Sequence, residues 1–242
     1  MIIIKIILLL ILILQIKSYS QEEMNKLLHK NFNKKELIKV DLNYLLYLPE
    51  DYKLSDKKYP LVIFLHGSGE RGDDLEKVKK HGIPKLIEDG KKFPFILIAP
   101  QCPSGKRWTH LLLELSLLIE EIQKNYLVDE KKIYLTGLSM GGQGTWALAF
   151  YNPQKFAAIA PICGWTDTFE ACNLKDLPIW IFHGAKDEVI SIEYSQKIYE
   201  AIKNCGSNKI KITIYPDLAH DSWTRTYNNP EFYNWLLSIS KE

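Results

Sequence analysis

From Asn43 onward, apolar residues gather into short runs separated by polar stretches rich in glycine, proline and charge. The runs at Leu61–Leu65, Phe95–Ala99, Ala157–Pro161 and Pro178–Phe182 show no polar alternation. Such runs read as strands covered on both faces, as in a parallel sheet flanked by helices. Asn43–Leu48 and Lys211–Tyr215 read as further strands. Between the runs the period changes. Leu111, Leu115, Leu118, Ile119 and Ile122 recur at helical spacing, with Glu114, Glu120 and Glu121 elsewhere. That pattern predicts an amphipathic helix over Leu111–Tyr126. Further helices are expected over Ile83–Asp89, Ser191–Lys203 and Pro230–Ile239, with an irregular connection over Ile162–Leu177. Gln21–Lys35 is polar and reads as loosely ordered. Strands that alternate with helices define the α/β class, with a mostly parallel central sheet and helices on both faces. No linker, repeat or low-complexity block divides residues 21–242, so one domain is expected there.

Residues 1–20 differ in kind. Lys5 precedes an unbroken apolar run from Ile6 to Leu14, and Ser18–Tyr19–Ser20 offers small residues at a cleavage point. This is the layout of a secretory signal peptide cleaved after Ser20, and it predicts a secreted or periplasmic protein. The apolar run is short against the roughly 20 residues of a membrane span, so no span is expected after cleavage. The chain of 242 residues carries 31 Lys plus Arg against 29 Asp plus Glu. Removing Lys5 and Lys17 leaves 29 against 29. A balance like that points away from nucleic acid as a partner. Four cysteines (Cys102, Cys163, Cys172 and Cys205) allow three complete pairings, and the sequence does not choose among them. None has metal-site spacing, so no metal is expected.

The chemistry centres on Lys132–Trp146, where an apolar, β-branched run meets Gly137–Leu138–Ser139–Met140–Gly141 and a helical pattern follows. Strand, sharp turn and helix in that order place Ser139 at the apex, its hydroxyl clear of both elements. A serine hydroxyl needs a base to take its proton, and the base needs an acid to orient it. In a sheet of this kind the three groups come from loops at the carboxyl ends of strands. His220 lies beyond the last strand, which permits the chain order Ser, Asp, His. His66 and His183 end apolar strands before a glycine and read as loop-shaping residues. Asp187 follows the Pro178–Phe182 strand and is the expected acid. Asp217 and Asp221 flank His220 as rivals, and Asp167 is a further one. An oxyanion formed at Ser139 needs two N–H donors. Met140 at the helix N-terminus and Ser68 in the loop after Leu65 are the expected pair. Glu70 and Arg71 read as a solvent-facing or loop-bracing pair. Trp108, Trp165 and Trp223 fall in loops near these residues and are candidates for substrate contact.

The stretches Tyr44–Pro49, His66–Gly72, Gly137–Gly142, His183–Asp187 and Ala219–Trp223 resemble the α/β-hydrolase superfamily. Within it they resemble the esterase branch related to prolyl oligopeptidase and carbohydrate esterase family 1. The resemblance covers most of residues 21–242 and implies an α/β-hydrolase fold; the connection Ile162–Leu177 is short, with no long apolar insertion, so no large lid is expected. The resemblance implies nucleophile, acid and base at Ser139, Asp187 and His220, with oxyanion donors at Ser68 and Met140. It further implies a serine esterase needing no cofactor, whose substrate is a small-molecule or polysaccharide-linked ester, feruloyl or acetyl groups of plant polysaccharides included. A serine peptidase or thioesterase would use the same machinery, and a non-catalytic binder on this scaffold is the alternative of another class.

Overall fold

The computed structural model describes residues 26–35, 39–52 and 57–242. The cleavage point predicted after Ser20 lies outside the described residues. Eight strands form one sheet: β1 (Leu27–Lys35), β2 (Lys39–Tyr47), β3 (Tyr59–Leu65), β4 (Ile96–Pro100), β5 (Val128–Leu138), β6 (Ala158–Ile162), β7 (Ile179–Gly184) and β8 (Ile210–Tyr215). Their order across the sheet is β1-β2-β4-β3-β5-β6-β7-β8. The β1–β2 and β2–β4 pairs are antiparallel, and every pair from β4 to β8 is parallel. This is the α/β class with a mostly parallel sheet.

Among the described residues six α-helices cover the faces: α1 (Gly82–Glu88), α2 (Leu112–Asn125), α3 (Met140–Tyr151), α4 (Glu193–Asn204), α5 (Trp223–Asn228) and α6 (Pro230–Ser238). The pleat divides each strand between two cores. Leu61, Ile63 and Leu65 of β3 join Leu115 and Ile122 of α2 and Trp146 of α3 in one core. Val62 and Phe64 join Ile83 of α1, Tyr227 of α5 and Phe232 of α6 in the other. Both side-chain sets of a central strand are thus buried, which is why its sequence has no polar alternation. Each such side chain contributes about 1.5–3 kcal/mol of burial.

One expectation is corrected. The segment predicted to be loose contains β1, which pairs with the whole length of β2 from Leu27 against Tyr47 to Lys35 against Lys39. Leu27 and Phe32 are its buried residues. A polar edge strand carries only a sparse apolar signal, and its order comes from ladder hydrogen bonds to a partner that is itself well buried. The helix α5, directly after His220, also has no strong sequence signal; Ser222, at its start, accepts from the Thr226 hydroxyl through its carbonyl.

None of the three complete cysteine pairings is made; a single disulfide forms. Cys172, in a helical turn after β6, is bonded to Cys205 at the end of α4, while Cys102 and Cys163 are buried free thiols. Among the described residues no helix is long and apolar enough to cross a membrane.

The chain runs from β3 outward to β4, then returns to place β5 on the opposite side of β3. That reversal makes a crevice at the carboxyl ends of β3 and β5, where ligands bind in sheets of this type. The loop after β3 carries Ser68, and β5 runs directly into Ser139.

Candidate active site

Ser139 has φ 53° and ψ −116°, a left-handed conformation for a residue bearing Cβ. Holding such a residue costs roughly 1–3 kcal/mol, which the surrounding structure must offset. Its N–H donates to the Ile162 carbonyl at 2.9 Å, and its carbonyl accepts from Gln143 N–H at 3.0 Å. Close backbone approach completes the turn. A Cβ on Gly141 would lie 1.9 Å from the Leu65 carbonyl oxygen, and one on Gly137 would lie 2.4 Å from that of Gly141. No side chain fits either place, so the sequence Gly-x-Ser-x-Gly is the consequence of the turn.

The Ser139 hydroxyl is 2.9 Å from His220 Nε2, and His220 Nδ1 is 2.7 Å from Asp187 Oδ2. An ionised carboxylate only accepts, so Nδ1 carries the hydrogen and Nε2 is free to accept from the hydroxyl. Asp187 has its remaining capacity filled. Oδ1 accepts from the Val189 and Ile190 N–H groups, each at 2.9 Å. Burial pushes the Asp187 carboxyl up, but the His220 hydrogen bond and the Ile190 and Val189 amides outweigh it and hold it below the usual carboxylate range. It is therefore an anion at neutral pH, suited to orient His220 and stabilise its charged form.

His183 supports the acid from beneath. Its Nε2 lies 3.0 Å from the Ile190 carbonyl and 3.2 Å from Asp187 Oδ2, while Nδ1 is 2.8 Å from Ser195 Oγ. Nε2–H therefore faces two acceptors, and Ser195 donates to Nδ1. Burial lowers the His183 pKa, against the Ile190 carbonyl and Asp187, which raise it. His66 plays the comparable part after β3. Nδ1 donates to the Gly67 carbonyl at 2.6 Å, and Nε2 accepts from Cys102 N–H at 3.0 Å. Burial drives the His66 pKa down to about 4, with the Gly67 carbonyl opposing and Arg71 adding to the fall. Both histidines are neutral braces of the loops that carry the site. The sequence placed them as loop-shaping residues; that His183 bears directly on Asp187 needed the fold.

The rival acids are engaged elsewhere. Asp217 forms a two-pronged pair with Arg225 at 2.8 and 2.6 Å. Asp221 accepts from the Thr224 N–H and hydroxyl, and Asp167 accepts from Phe169 N–H.

A pocket of about 380 Å³ opens over Ser139, lined among others by Ser68, Met140, Trp165 and Tyr194. Met140 is the first residue of α3, so its N–H has no intrahelical acceptor and is available to a ligand. Ser68 lines the same pocket. The three tryptophans part company. Trp165 lines the pocket, with the Arg107 guanidinium 5.8 Å over its ring. Trp223 stands edge-on to His220, ring centroids 5.3 Å apart, and its Nε1 is buried without a partner among the described residues. Trp108 is a correction: it is fully buried and donates from Nε1 to the His66 carbonyl at 2.9 Å. A Cβ on Gly144 would lie 2.5 Å from its own Cβ. It packs beneath the loop and does not line the pocket. The Glu70–Arg71 reading divides too. Glu70 is buried, within 3.9 Å of His66 and 3.8 Å of His81, so it is not solvent-facing. Arg71 does brace the loop, donating from Nε to the Ser68 carbonyl at 2.9 Å. Both Arg71 and Arg107 also line the pocket, a role the sequence did not signal.

Among the described residues, one set of potential metal donors lies together, Cys163, Asp187 and His220, with ligand atoms within 4.8 Å of one another. Two of these are hydrogen-bonded to each other, and burial pushes the Cys163 thiol up to about 12. A metal ligand must be a thiolate, so this set fits hydrogen bonding and not an ion.

A serine at a strand-to-helix elbow, hydrogen-bonded to a histidine that is bonded to a carboxylate, on a mostly parallel sheet, defines the α/β-hydrolase fold. Residues 104–229 match the phospholipase/carboxylesterase family, and the chain belongs to it. A thermostable esterase of known structure is 34% identical and superposes with a TM-score of 0.78, covering 91% of this chain and 64% of that one. A bifunctional acetylxylan esterase/xylanase from Neocallimastix patriciarum is 28% identical over 185 residues, 73% of this chain and 26% of the relative. A probable feruloyl esterase C from Aspergillus terreus is 28% identical over 158 residues, 62% of this chain and 56% of the relative. The chain thus spans from about a quarter to about half of the length of these two relatives.

Proposed function

We propose that the protein is a serine-dependent carboxylic ester hydrolase working through an acyl-enzyme. The observation that carries the reading is the continuous contact from Ser139 Oγ through His220 to Asp187, at 2.9 and 2.7 Å. Ser139 attacks the ester carbonyl as His220 Nε2 takes its proton. The Ser68 and Met140 amides hold the oxyanion, and His220 returns the proton to the leaving alcohol. Water, activated by the same histidine, then releases the acid. Asp187 stays ionised throughout. Similarity to the acetylxylan esterase and the feruloyl esterase supports acyl esters of plant polysaccharides as the substrate class. Export as a secreted or periplasmic protein is part of the proposal; it is supported by the layout of residues 1–20 and by the Cys172–Cys205 disulfide, a bond that persists in oxidising compartments.

The test is turnover of p-nitrophenyl acetate beside Ser139→Ala. Steady turnover lost in the variant supports the reading. Equal turnover in both proteins, or none in either while folded, overturns it.

A further inference from the structure

The pocket over Ser139 has an unbalanced charge. Of its ten lining residues two are arginines, Arg71 and Arg107, and none carries a carboxyl group. Neither guanidinium forms an ion pair with a carboxylate among the described residues. Of the acids next to lining residues in the chain, Glu70 is buried beside His66 and His81 and Glu188 is exposed, and neither lines the pocket; the Asp187 side chain is buried and spends both oxygens on His220, His183 and two amides. Glu193, beside the rim residue Tyr194, is paired with Lys197 at 3.0 Å. The rest of the chain is close to balanced, so this positive field is local. Within a concave site such a field is screened less than on open surface and draws anions.

The pocket also has a direction. A leaving alcohol must take its proton from His220 Nε2, so it departs on the side of His220 and Trp223. Neither of those residues lines the pocket. The space that holds the two arginines is therefore where the acyl part of the ester sits. Arg107 is anchored against the Trp165 ring, leaving a planar fork of donors that matches a carboxylate. Apolar Val189 and Ile190 line the same pocket and would flank a short methylene chain.

We infer that the acyl pocket selects esters whose acyl group carries a second, ionised carboxylate, that is, half-esters of dicarboxylic acids, with Arg107 and Arg71 as the specificity-determining residues. The inference rests on the proposed ester hydrolysis and adds the charge of the acyl group to it. The reaction is unchanged: the ester C–O bond breaks, the carbonyl carbon bonds first to Ser139 Oγ and then to water oxygen, and the product is a dicarboxylate.

The test pairs mono-p-nitrophenyl adipate with p-nitrophenyl hexanoate, equal in chain length and differing in one terminal carboxylate. The wild-type protein is expected to show the higher kcat/KM on the adipate. Arg107→Met is expected to lower the adipate-to-hexanoate ratio of kcat/KM at least fivefold, mainly through KM, and Arg107→Lys, which keeps the charge but not the fork, to fall between the two. Raising the salt concentration should erode the preference. A wild-type preference for hexanoate, or a ratio that falls less than fivefold in Arg107→Met, overturns the inference; in the latter case the guanidinium acts on the oxyanion or braces the loop. Calorimetric binding of adipate to Ser139→Ala separates the two readings, because it needs no turnover. Binding that Arg107→Met abolishes upholds the anion site even where no ester is hydrolysed, and absence of binding overturns it.

Discussion

A Cβ on Gly184 would lie 2.1 Å from the carbonyl oxygen of Ala219 and 2.5 Å from that of Leu218. The end of β7, which leads to the acid, thus lies in backbone contact with the loop that carries the base. Lys186 N–H donates to Leu218 O at 2.9 Å and Ala185 N–H to Tyr215 O at 2.9 Å, so the two loops are laced together. Gly184→Ala must push them apart, and the hydrogen bond from His220 to Asp187 spans that junction. Misplacement of about 1 Å can cost roughly 100-fold in rate. A loss of kcat of that order in a variant still cooperatively folded by circular dichroism is expected. Unchanged kcat would show that the loops adjust independently of the two side chains.

Asp187→Asn tests the orientation of His220. The amide cannot accept from Nδ1–H in the same way and favours the wrong imidazole tautomer, for which the loss of kcat is about 10⁴-fold in proteases with this constellation. A loss of at least about 10³-fold on a p-nitrophenyl ester is the expected outcome. A loss below tenfold would assign the role to another acid.

The buried histidines predict an acid-labile fold. The folded-state pKa of His66, about 4, lies below the ordinary value of 6.5. As pH falls, the unfolded chain takes up this proton first, so the stability is full above 6.5 and is lost down to about 4. Each tenfold difference in proton affinity between the folded and unfolded chain corresponds to about 1.4 kcal/mol, so His66 alone accounts for roughly 3 kcal/mol over that window. His183, also lowered by burial, acts with the same sign. Asp187 takes over below the ordinary carboxylate range, since its lowered pKa means a stabilisation that disappears as the carboxyl protonates. Urea midpoints measured from pH 7 to pH 4 should fall in the wild type and fall less steeply in His66→Gln. Parallel slopes would show that His66 is not the group responsible.

The disulfide predicts a thiol count and a stability change. Cys172 and Cys205 are separated by 33 residues, and Cys102 and Cys163 are buried, with burial raising their pKa values to about 11 and about 12. Ellman's reagent should therefore label no thiol in the native protein, two after unfolding, and four after unfolding with reduction. Cys172→Ser with Cys205→Ser should lower stability by about 4 kcal/mol, the scale for a loop of this length. A label count of four without reductant would exclude the bond.

Much of the site was legible in the sequence, for reasons that are local. Gly137, Ser139 and Gly141 are spaced by the demands of one turn, and only glycine leaves room for the Leu65 and Gly141 carbonyls. Uninterrupted apolar runs such as Leu61–Leu65 and Phe95–Ala99 mark strands because both faces are buried in two separate cores. The strand–helix alternation then sets the α/β class, and chain order together with placement in loops after strands made Asp187 and His220 the leading partners of Ser139.

Other features were beyond local reasoning. The strand β1 owes its existence to β2, and its own residues Lys30, Asn31 and Asn33 give no strand signal. Trp108 and Trp165 look alike in the sequence as loop tryptophans, yet one bonds to the His66 carbonyl and the other faces the pocket. The choice of Cys172 with Cys205 depended on the end of α4 meeting the loop after β6. The sequence by itself determined the elbow, the buried central strands and the residue types of the reacting groups, since these follow from hydrophobic period and backbone sterics. Only the tertiary structure decided which aromatics touch the pocket, how His183 braces Asp187, and that Arg71 and Arg107 share one space. Those relationships join residues far apart in the chain, and their energies depend on distance and burial, which chain order does not encode.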